Sequence, residues 1–111
     1  MPQFSDLSEE ARIVAGSTFS MSPGATIRYQ MVQSVPSAEM QAALDELVAA
    51  GIVLRDDEPH GAVSYKASPT YDFTEARRFA FDRTFKGDAP SIRIYVSKEV
   101  AAAEAAANPA P

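Results

Sequence analysis

The sequence predicts a small α+β domain. Three features predict this class: a serine-capped amphipathic helix over residues 37–50, two strand-like segments around a polar turn in residues 52–66, and a second helix with an alternating segment after it in residues 74–96. A chain of 111 residues can build one hydrophobic core and not two. We therefore expect one domain over residues 1–96 and an Ala- and Pro-rich flexible tail over residues 97–111.

Composition restricts the classes of function. The chain has no cysteine, which excludes a disulfide framework and a thiolate zinc site. No apolar run approaches the roughly 20 residues of a membrane helix, and the first residues lack the basic and apolar regions of a signal peptide. We expect a cytoplasmic protein that has no cofactor, no metal and no contact with a membrane.

The charge of −5 is unevenly distributed. Residues 1–58 hold three basic and nine acidic side chains, a net charge of −6, whereas residues 59–111 hold seven basic and six acidic side chains, a net charge of +1. Affinity for nucleic acid depends largely on basic groups that neutralise phosphates. The acidic first half is therefore evidence against tight binding of duplex DNA by that half.

The chain is predicted to begin with a short helix and a loop. Asp6 and Glu9 have the spacing of a capping box, so we expect a helix over residues 7–15 that ends at Gly16. Residues 17–24 are rich in Ser, Pro and Gly, which is typical of a loop.

Residues 25–33 have two competing patterns. Ile27, Tyr29 and Met31 alternate with polar residues, which favours a strand, but Ile27, Met31 and Val32 also fit one face of a helix. We predict a helix here, because the family resemblance of residues 36–66, described below, requires a helix before the one that begins at residue 37.

The clearest element is the helix over residues 37–50. Ser37 can cap its first turn, Glu39 lies where the helix dipole favours an anion, and Gly51 suits the left-handed position after a helix. The apolar residues repeat at intervals of three and four, as a buried helical face requires: Met40, Ala43, Leu44, Leu47 and Val48.

A hairpin is predicted to follow this helix. Residues 52–55 and 62–66 have strand propensity, and residues 56–61 form a polar turn between them. His60 is expected to be a surface residue of this turn, because a metal or catalytic role would require partners that the sequence does not place near it. Three carboxylates make the acidic tip, a candidate contact for a basic partner: Asp56, Asp57 and Glu58.

The last elements are a Phe-rich helix over residues 74–86, ended by Gly87, and a strand over residues 91–96. The apolar surface of this helix is too wide for one narrow stripe, which indicates a homodimer interface or packing across its own domain. The candidate interface residues are Phe73, Phe79, Phe81 and Phe85.

Residues 36–66 resemble the recognition helix and wing of bacterial winged helix-turn-helix regulators of the MarR-like group. The matching residues are Pro36, Ser37, Met40, Leu44, Leu47, Gly51, Ile52, Val53 and Arg55. The resemblance implies a winged-helix-like fold with a wing hairpin and an extra C-terminal helix and strand. It also implies a helix that enters the DNA major groove and a hairpin that touches the flanking duplex.

The side chains that such a role needs are sparse. A groove-reading helix exposes basic or amide side chains early in its length, and here only Ser37 and Gln41 meet that requirement. Basic residues interleaved with aromatic ones form a second candidate surface. The full set of candidate nucleic-acid contacts is Ser37, Gln41, Arg55, Lys66, Arg77 and Arg78.

Two functions follow, neither of them enzymatic, since motifs for a nucleophile, a phosphate-binding loop or a zinc protease are missing from the sequence. The first is a protein-interaction module. One version of it is a small acidic protein of a mobile element or phage that competes for a nucleic-acid-binding site on its target. The alternative is a DNA-binding transcriptional regulator of the winged helix-turn-helix type.

Overall fold

The centre of the fold is a three-stranded antiparallel sheet. The structure, a computed structural model, describes residues 3–87 and 92–107. The sheet contains strands β1 (Thr26–Gln30), β3 (Val53–Asp57) and β4 (Ala62–Ala67), with β4 in the middle. A separate two-stranded antiparallel sheet pairs β2 (Ser34–Val35) with β5 (Val96–Ser97).

The described residues include four α-helices: α1 (Glu9–Val14), α2 (Ala38–Ala49), α3 (Thr74–Phe85) and α4 (Lys98–Ala107). A π-helical turn, Ala15–Phe19, continues α1, and 3-10 turns occupy Phe4–Asp6 and Pro59–Gly61. The predicted α+β class, with its hairpin and its additional C-terminal helix and strand, is confirmed. None of the described helices is both long and apolar enough to cross a membrane.

One face of the large sheet is buried and the other is polar. The strand register pairs Ile27 with Tyr65 and Tyr29 with Val63, and all four side chains are buried. Helix α2 packs against this buried face, and α1 packs against α2. Because side chains alternate along a strand, the neighbouring residues point to the opposite, polar face.

The predicted helix over residues 25–33 is wrong, because this segment contains β1. Ile27 and Tyr29 alternate with exposed residues, and the strand pairs along its length with β4. Val32, which a helical face would bury, is exposed. Burial of every second residue and a partner strand for the backbone groups decide the ambiguity in favour of the strand. Residues 25–37, all of which the structure describes, therefore contain strands and a turn but no helix. The winged helix-turn-helix interpretation expects a helix in this segment, directly before α2.

The start of α1 differs from the prediction. The N-cap is Ser8, whose hydroxyl accepts a hydrogen bond from the Ala11 amide at 3.2 Å. Asp6 instead accepts from the amide of Gln3 at 3.1 Å and closes the preceding 3-10 turn. Serine and aspartate are equally favourable N-cap residues. The sequence therefore offered two possible N-caps, Asp6 and Ser8, and the structure uses Ser8.

The end of α1 also differs. Gly16 was expected to stop the helix, but the π-helical turn carries the chain on to Phe19, and the amide of Ser20 donates to the Ala15 carbonyl at 2.9 Å. Gly16 serves a packing role within the helix, described below.

Helices α2 and α3 confirm their predictions. Ser37 caps α2 by accepting from the Met40 amide at 3.1 Å, and the φ angle of 78° at Gly51 ends it in the left-handed region. Helix α3 ends before Gly87, whose φ angle is 73°.

The hairpin is confirmed, but its turn is shorter than predicted. Asp56 and Asp57 belong to β3, where they pair with Ser64 and Val63 of β4. The left-handed φ angle of His60, 66°, lies in the turn itself. Strand pairing therefore includes Asp56 and Asp57, which were predicted to lie in the turn.

The C-terminal strand is shorter than the predicted span of residues 91–96. Residues 92–95 lie outside regular structure, only Val96–Ser97 forms a strand, and residue 91 is outside the described residues. Three hydrogen bonds connect this segment to β1 and to the N-cap of α2. The Tyr29 hydroxyl donates to the Ile94 carbonyl at 2.7 Å, the Ser37 hydroxyl donates to the Arg93 carbonyl at 2.7 Å, and the Tyr95 hydroxyl donates to the Arg28 carbonyl at 3.4 Å.

The predicted boundary between domain and tail at residue 96 falls inside β5. Helix α4 follows directly, and its Glu104 forms an ion pair with Arg93. Residues 97–107 are therefore in regular structure, and residues 108–111 of the predicted tail lie outside the described residues.

Candidate functional site

An open groove lies between α1, with its π-helical turn, and α3. Gly16 lies against Ala76 and Ala80, while Arg83, nearer the end of α3, reaches back to Glu9. The two helices therefore run antiparallel. A Cβ atom at Gly16 would lie 2.5 Å from the Ala76 carbonyl oxygen and 2.9 Å from the Cβ of Ala80. Glycine thus allows the two helices to approach closely at the floor of the groove.

The α1–α3 groove has a volume of about 550 Å³. Its wall on the α1 side includes Ile13, Ser17, Ser20 and Met21, and its wall on the α3 side includes Arg77, Ala80, Phe81, Arg83, Thr84 and Phe85.

The hydroxyl groups in the groove are already used by the helices that carry them. Ser17 donates to the Ile13 carbonyl at 2.6 Å, Thr84 donates to the Ala80 carbonyl at 3.0 Å, and Ser20 donates to the carbonyl of Gly16. Back-bonding of this kind to the preceding turn leaves each hydroxyl without a free donor. The groove therefore presents a more apolar surface than its residue types suggest.

Three large apolar side chains at the groove are exposed. Phe81 is 61% exposed, Phe85 76% and Met21 74%. The rings of Phe81 and Phe85 pack on each other with their centroids 4.6 Å apart. Isolated exposed apolar residues are common in soluble proteins, but a contiguous patch beside a groove is typical of a binding surface.

Among the described residues, the groove is lined by two charged side chains, both arginines, which differ in the groups that compensate their charge. Arg83 forms an ion pair with Glu9 at 3.0 Å. Arg77 donates from Nε and Nη2 to the carbonyl oxygen of Ser20, at 3.3 and 3.2 Å. Among the described residues, no carboxylate forms an ion pair with Arg77. A guanidinium has five N–H donors, so Arg77 keeps donors for another group.

The four predicted interface phenylalanines divide into two pairs. Phe81 and Phe85 form the exposed wall of the groove. Phe79 and Phe73 are half-buried. The ring centroid of Phe79 lies 5.7 Å from that of Phe4, and the ring centroid of Phe73 lies 4.8 Å from that of Tyr71.

Phe79 also lies beneath two guanidinium groups, those of Arg12 at 5.1 Å and Arg83 at 5.5 Å from the ring centroid. Phe73 and Phe79 therefore pack partly within their own chain, and their part in a dimer interface stays a prediction.

The acidic tip is largely neutralised by its neighbours. Asp57 pairs with Arg55 at 3.0 Å, and Glu58 pairs with Arg28 of β1 at 3.1 Å. The hydrogen bond to Asp57 raises the pKa of Arg55. Asp56 is exposed and has no ion pair in the described part of the chain. The tip is therefore a weaker anionic surface than its sequence suggests.

The predicted base-reading side chains are occupied. Ser37 is only 5% exposed, and its hydroxyl both caps α2 and donates to the Arg93 carbonyl. The amide nitrogen of Gln41 donates to Asp45 at 2.9 Å and to the hydroxyl of Tyr65 at 3.2 Å. Contact of Ser37 or Gln41 with a base stays a prediction, and it would require each side chain to give up hydrogen bonds within the chain.

The remaining candidate nucleic-acid contacts lie on different surfaces. Arg55 lies over the ring of Tyr65, at 5.9 Å, on the face of the sheet that α2 covers. Lys66 follows Tyr65 in β4 and so points to the polar face. Arg77 and the exposed Arg78 are on α3. The fold does not bring these six predicted residues together.

Sequence reasoning missed the α1 side of the groove, which consists mainly of Ile13, Gly16, Ser20 and Met21. The predicted helix end at Gly16 and the predicted loop after it concealed this wall. The width of the apolar surface on α3 was the available signal, because one of its two interpretations, a homodimer interface, leaves part of that surface uncovered in the single chain. Within the described residues, no cluster of three His, Asp or Glu side chains could hold a metal ion.

Comparisons of this chain with protein-family models, curated proteins and solved structures find no match. Function is therefore inferred from the residues of this chain.

Proposed function

We propose that this protein is a non-enzymatic protein-interaction module that binds a helical segment of a protein partner in the α1–α3 groove. The observation that carries the proposal is the patch of Phe81, Phe85 and Met21 beside a groove whose hydroxyl groups are internally bonded. A cytoplasmic location, expected from the sequence, is part of the same proposal.

Burial of exposed aromatic rings is a strong source of binding energy. Interfaces are enriched in aromatic residues and methionine at their centres, and a few such anchors carry most of the affinity. Removing apolar surface from water contributes roughly 25 cal/mol per Å². The exposed faces of Phe81 and Phe85 therefore supply the kind of anchor that a protein partner uses.

The positions expected to read DNA support a protein partner over duplex DNA. Ser37 is buried and Gln41 is hydrogen-bonded within the chain. Helix α2 contains no lysine or arginine, and phosphate contacts dominate affinity for duplex DNA. DNA binding is therefore the alternative function, and a binding experiment with duplex DNA distinguishes it from the proposed one.

The test compares cross-linking of the full chain to proteins of a native extract with that of two variants. Phe85→Ser removes an anchor from the groove, and Leu54→Ser removes an exposed apolar residue from the polar face of the sheet as a matched control. We expect a defined protein partner whose capture is lost with Phe85→Ser and retained with Leu54→Ser. Equal loss or equal retention in both variants would contradict a role for the groove.

Binding to random-sequence duplex DNA separates the two functions. We expect no binding at about 50 mM salt, where phosphate contacts are strongest. Binding that weakens steeply with salt, and that is lost on charge reversal of Arg77 and Arg78, would instead favour the regulator.

A further inference from the structure

We infer that the helix bound in the α1–α3 groove is acidic, with a carboxylate placed to pair with Arg77. This inference rests on the proposed function, because it specifies the chemistry of the partner for the same groove. Three properties of the groove support an acidic helix: its shape, its hydrogen-bonding capacity and its charge.

The shape favours a helix. Arg77 and Phe85 mark the two ends of the α3 wall, and the eight helical steps from one to the other span about 12 Å. Two antiparallel helices with small residues at their line of contact leave a trough between them. An amphipathic helix of about two to three turns can bury one apolar face in such a trough.

The hydrogen-bonding capacity excludes an extended strand. A bound strand needs backbone donors and acceptors from its host. Most of the groove wall is helix, whose backbone groups bond within the helix, and beyond the π-helical turn the Ser20 carbonyl accepts from Arg77. The hydroxyls of Ser17, Ser20 and Thr84 are also committed to carbonyl groups one turn earlier. A helix satisfies its own backbone groups and makes no such demand.

The charge favours carboxylates on the partner. Both charged side chains that line the groove within residues 3–87 and 92–107 are arginines, and the carboxylate of Glu9 already compensates Arg83. Arg77 is held in place by the Ser20 carbonyl, a neutral acceptor, so its positive charge is oriented and has no ion pair in the described residues. A carboxylate near this end of the groove can accept the remaining guanidinium N–H groups.

A second copy of this chain is a poorer occupant. Two-fold association presents the same patch on both subunits, so the groove of each copy would meet a surface whose charged lining groups are also arginines. Like charges across an interface disfavour association, whereas opposite charges select a partner and accelerate its encounter. A partner with carboxylates is complementary where a second copy is not.

The test uses two synthetic helical peptides that differ only in charge. Each carries Leu at positions i and i+4, and one carries Glu where the other carries Lys, at the end expected to lie over Arg77. Fluorescence anisotropy with the full-length chain should show binding of the Glu peptide about twofold to fivefold tighter than the Lys peptide, the range typical of an exposed ion pair.

Two charge variants make the test specific. Arg77→Glu should reverse the preference between the peptides. Arg78→Glu is the matched control, since Arg78 is an exposed arginine of α3 outside the lining of the groove, and it should leave the preference unchanged. Circular dichroism confirms that each variant is folded.

The outcomes separate this inference from the proposed function. Binding that requires Phe81 and Phe85 but shows no dependence on Arg77 overturns the acidic partner and leaves the groove as a docking site. Binding unaffected by Phe81→Ser or Phe85→Ser, or no binding of either peptide at about 1 mM, overturns both. A dimer in light scattering that is lost with Phe85→Ser, or tighter binding of single-stranded oligonucleotide than of the Glu peptide, identifies a different occupant and overturns the inference.

Discussion

Substitution of Gly16 by alanine tests the close approach of α1 and α3. The added Cβ would lie 2.5 Å from the backbone oxygen of Ala76 and 2.9 Å from the Cβ of Ala80. Neither atom can rotate away as the end of a long side chain does, so the two helices would have to move apart. Gly16 and Ala76 are both buried, so the added methyl group has no free space into which it could move.

The magnitude follows from two opposing effects. Overpacking of a well-packed contact costs about 1–3 kcal/mol, and a contact with backbone places this variant at the upper end. Replacing glycine by alanine in a helix stabilises by about 0.4–1 kcal/mol, because the unfolded chain loses freedom. The net expectation is destabilisation by about 2 kcal/mol, which in a domain of this size lowers the Tm by about 8–16 °C.

The assay is urea unfolding followed by circular dichroism, with Ser17→Ala as the matched control. Ser17 is the exposed neighbour of Gly16 in the same π-helical turn, and its substitution should change the free energy of unfolding by less than about 0.5 kcal/mol. A Gly16→Ala variant as stable as the wild type, or more stable, would show that α1 and α3 do not touch at this point. Gly16 would then not form the floor of the groove by close contact with Ala76 and Ala80.

Two further predictions concern the anchoring of the C-terminal segment and the first turn of α3. Tyr29→Phe removes the hydrogen bond to the Ile94 carbonyl and should cost about 1 kcal/mol in urea unfolding at neutral pH. Burial raises the pKa of Tyr29 in the folded state, so its stabilisation is complete below the ordinary tyrosine pKa of about 10 and is lost as the pH rises above it. The alkaline loss of stability should therefore be smaller in Tyr29→Phe, and identical pH profiles would contradict this assignment. Asp72 accepts hydrogen bonds from the side chain and the amide of Thr74, which lower its pKa. The destabilisation caused by Asp72→Ala should accordingly be present at neutral pH and disappear as the pH falls below about 4, whereas a difference that persists in acid would exclude the carboxylate as its source.

Local signals in the sequence determined the helices with unambiguous caps and the hairpin. Helix α2 could be predicted because Ser37, its apolar repeat and Gly51 all specify the same element. Residues 25–33 could not, because both helical and strand periods fit them. Pairing with β4 decided for a strand, and that contact is made with residues more than thirty positions away in the chain.

The candidate site depended still more on tertiary structure. The sequence indicated an apolar surface on α3 too wide for one narrow stripe and left open what covers it, and in the structure Phe81 and Phe85 remain exposed. It could not show that Phe79 would pack against Phe4 or that Glu58 would pair with Arg28. Both contacts join segments far apart in the chain.

By itself, then, the sequence determined the α+β class, the elements with clear capping residues and the uneven distribution of charge, because these depend on neighbouring residues and on composition. Only the tertiary structure decided which side chains remain available for binding. It placed Ser37 in the interior and used Gly16 to bring two helices together. Whether a side chain is free to bind a partner depends on its contacts with residues that are distant in the chain, and a local sequence pattern does not contain that information.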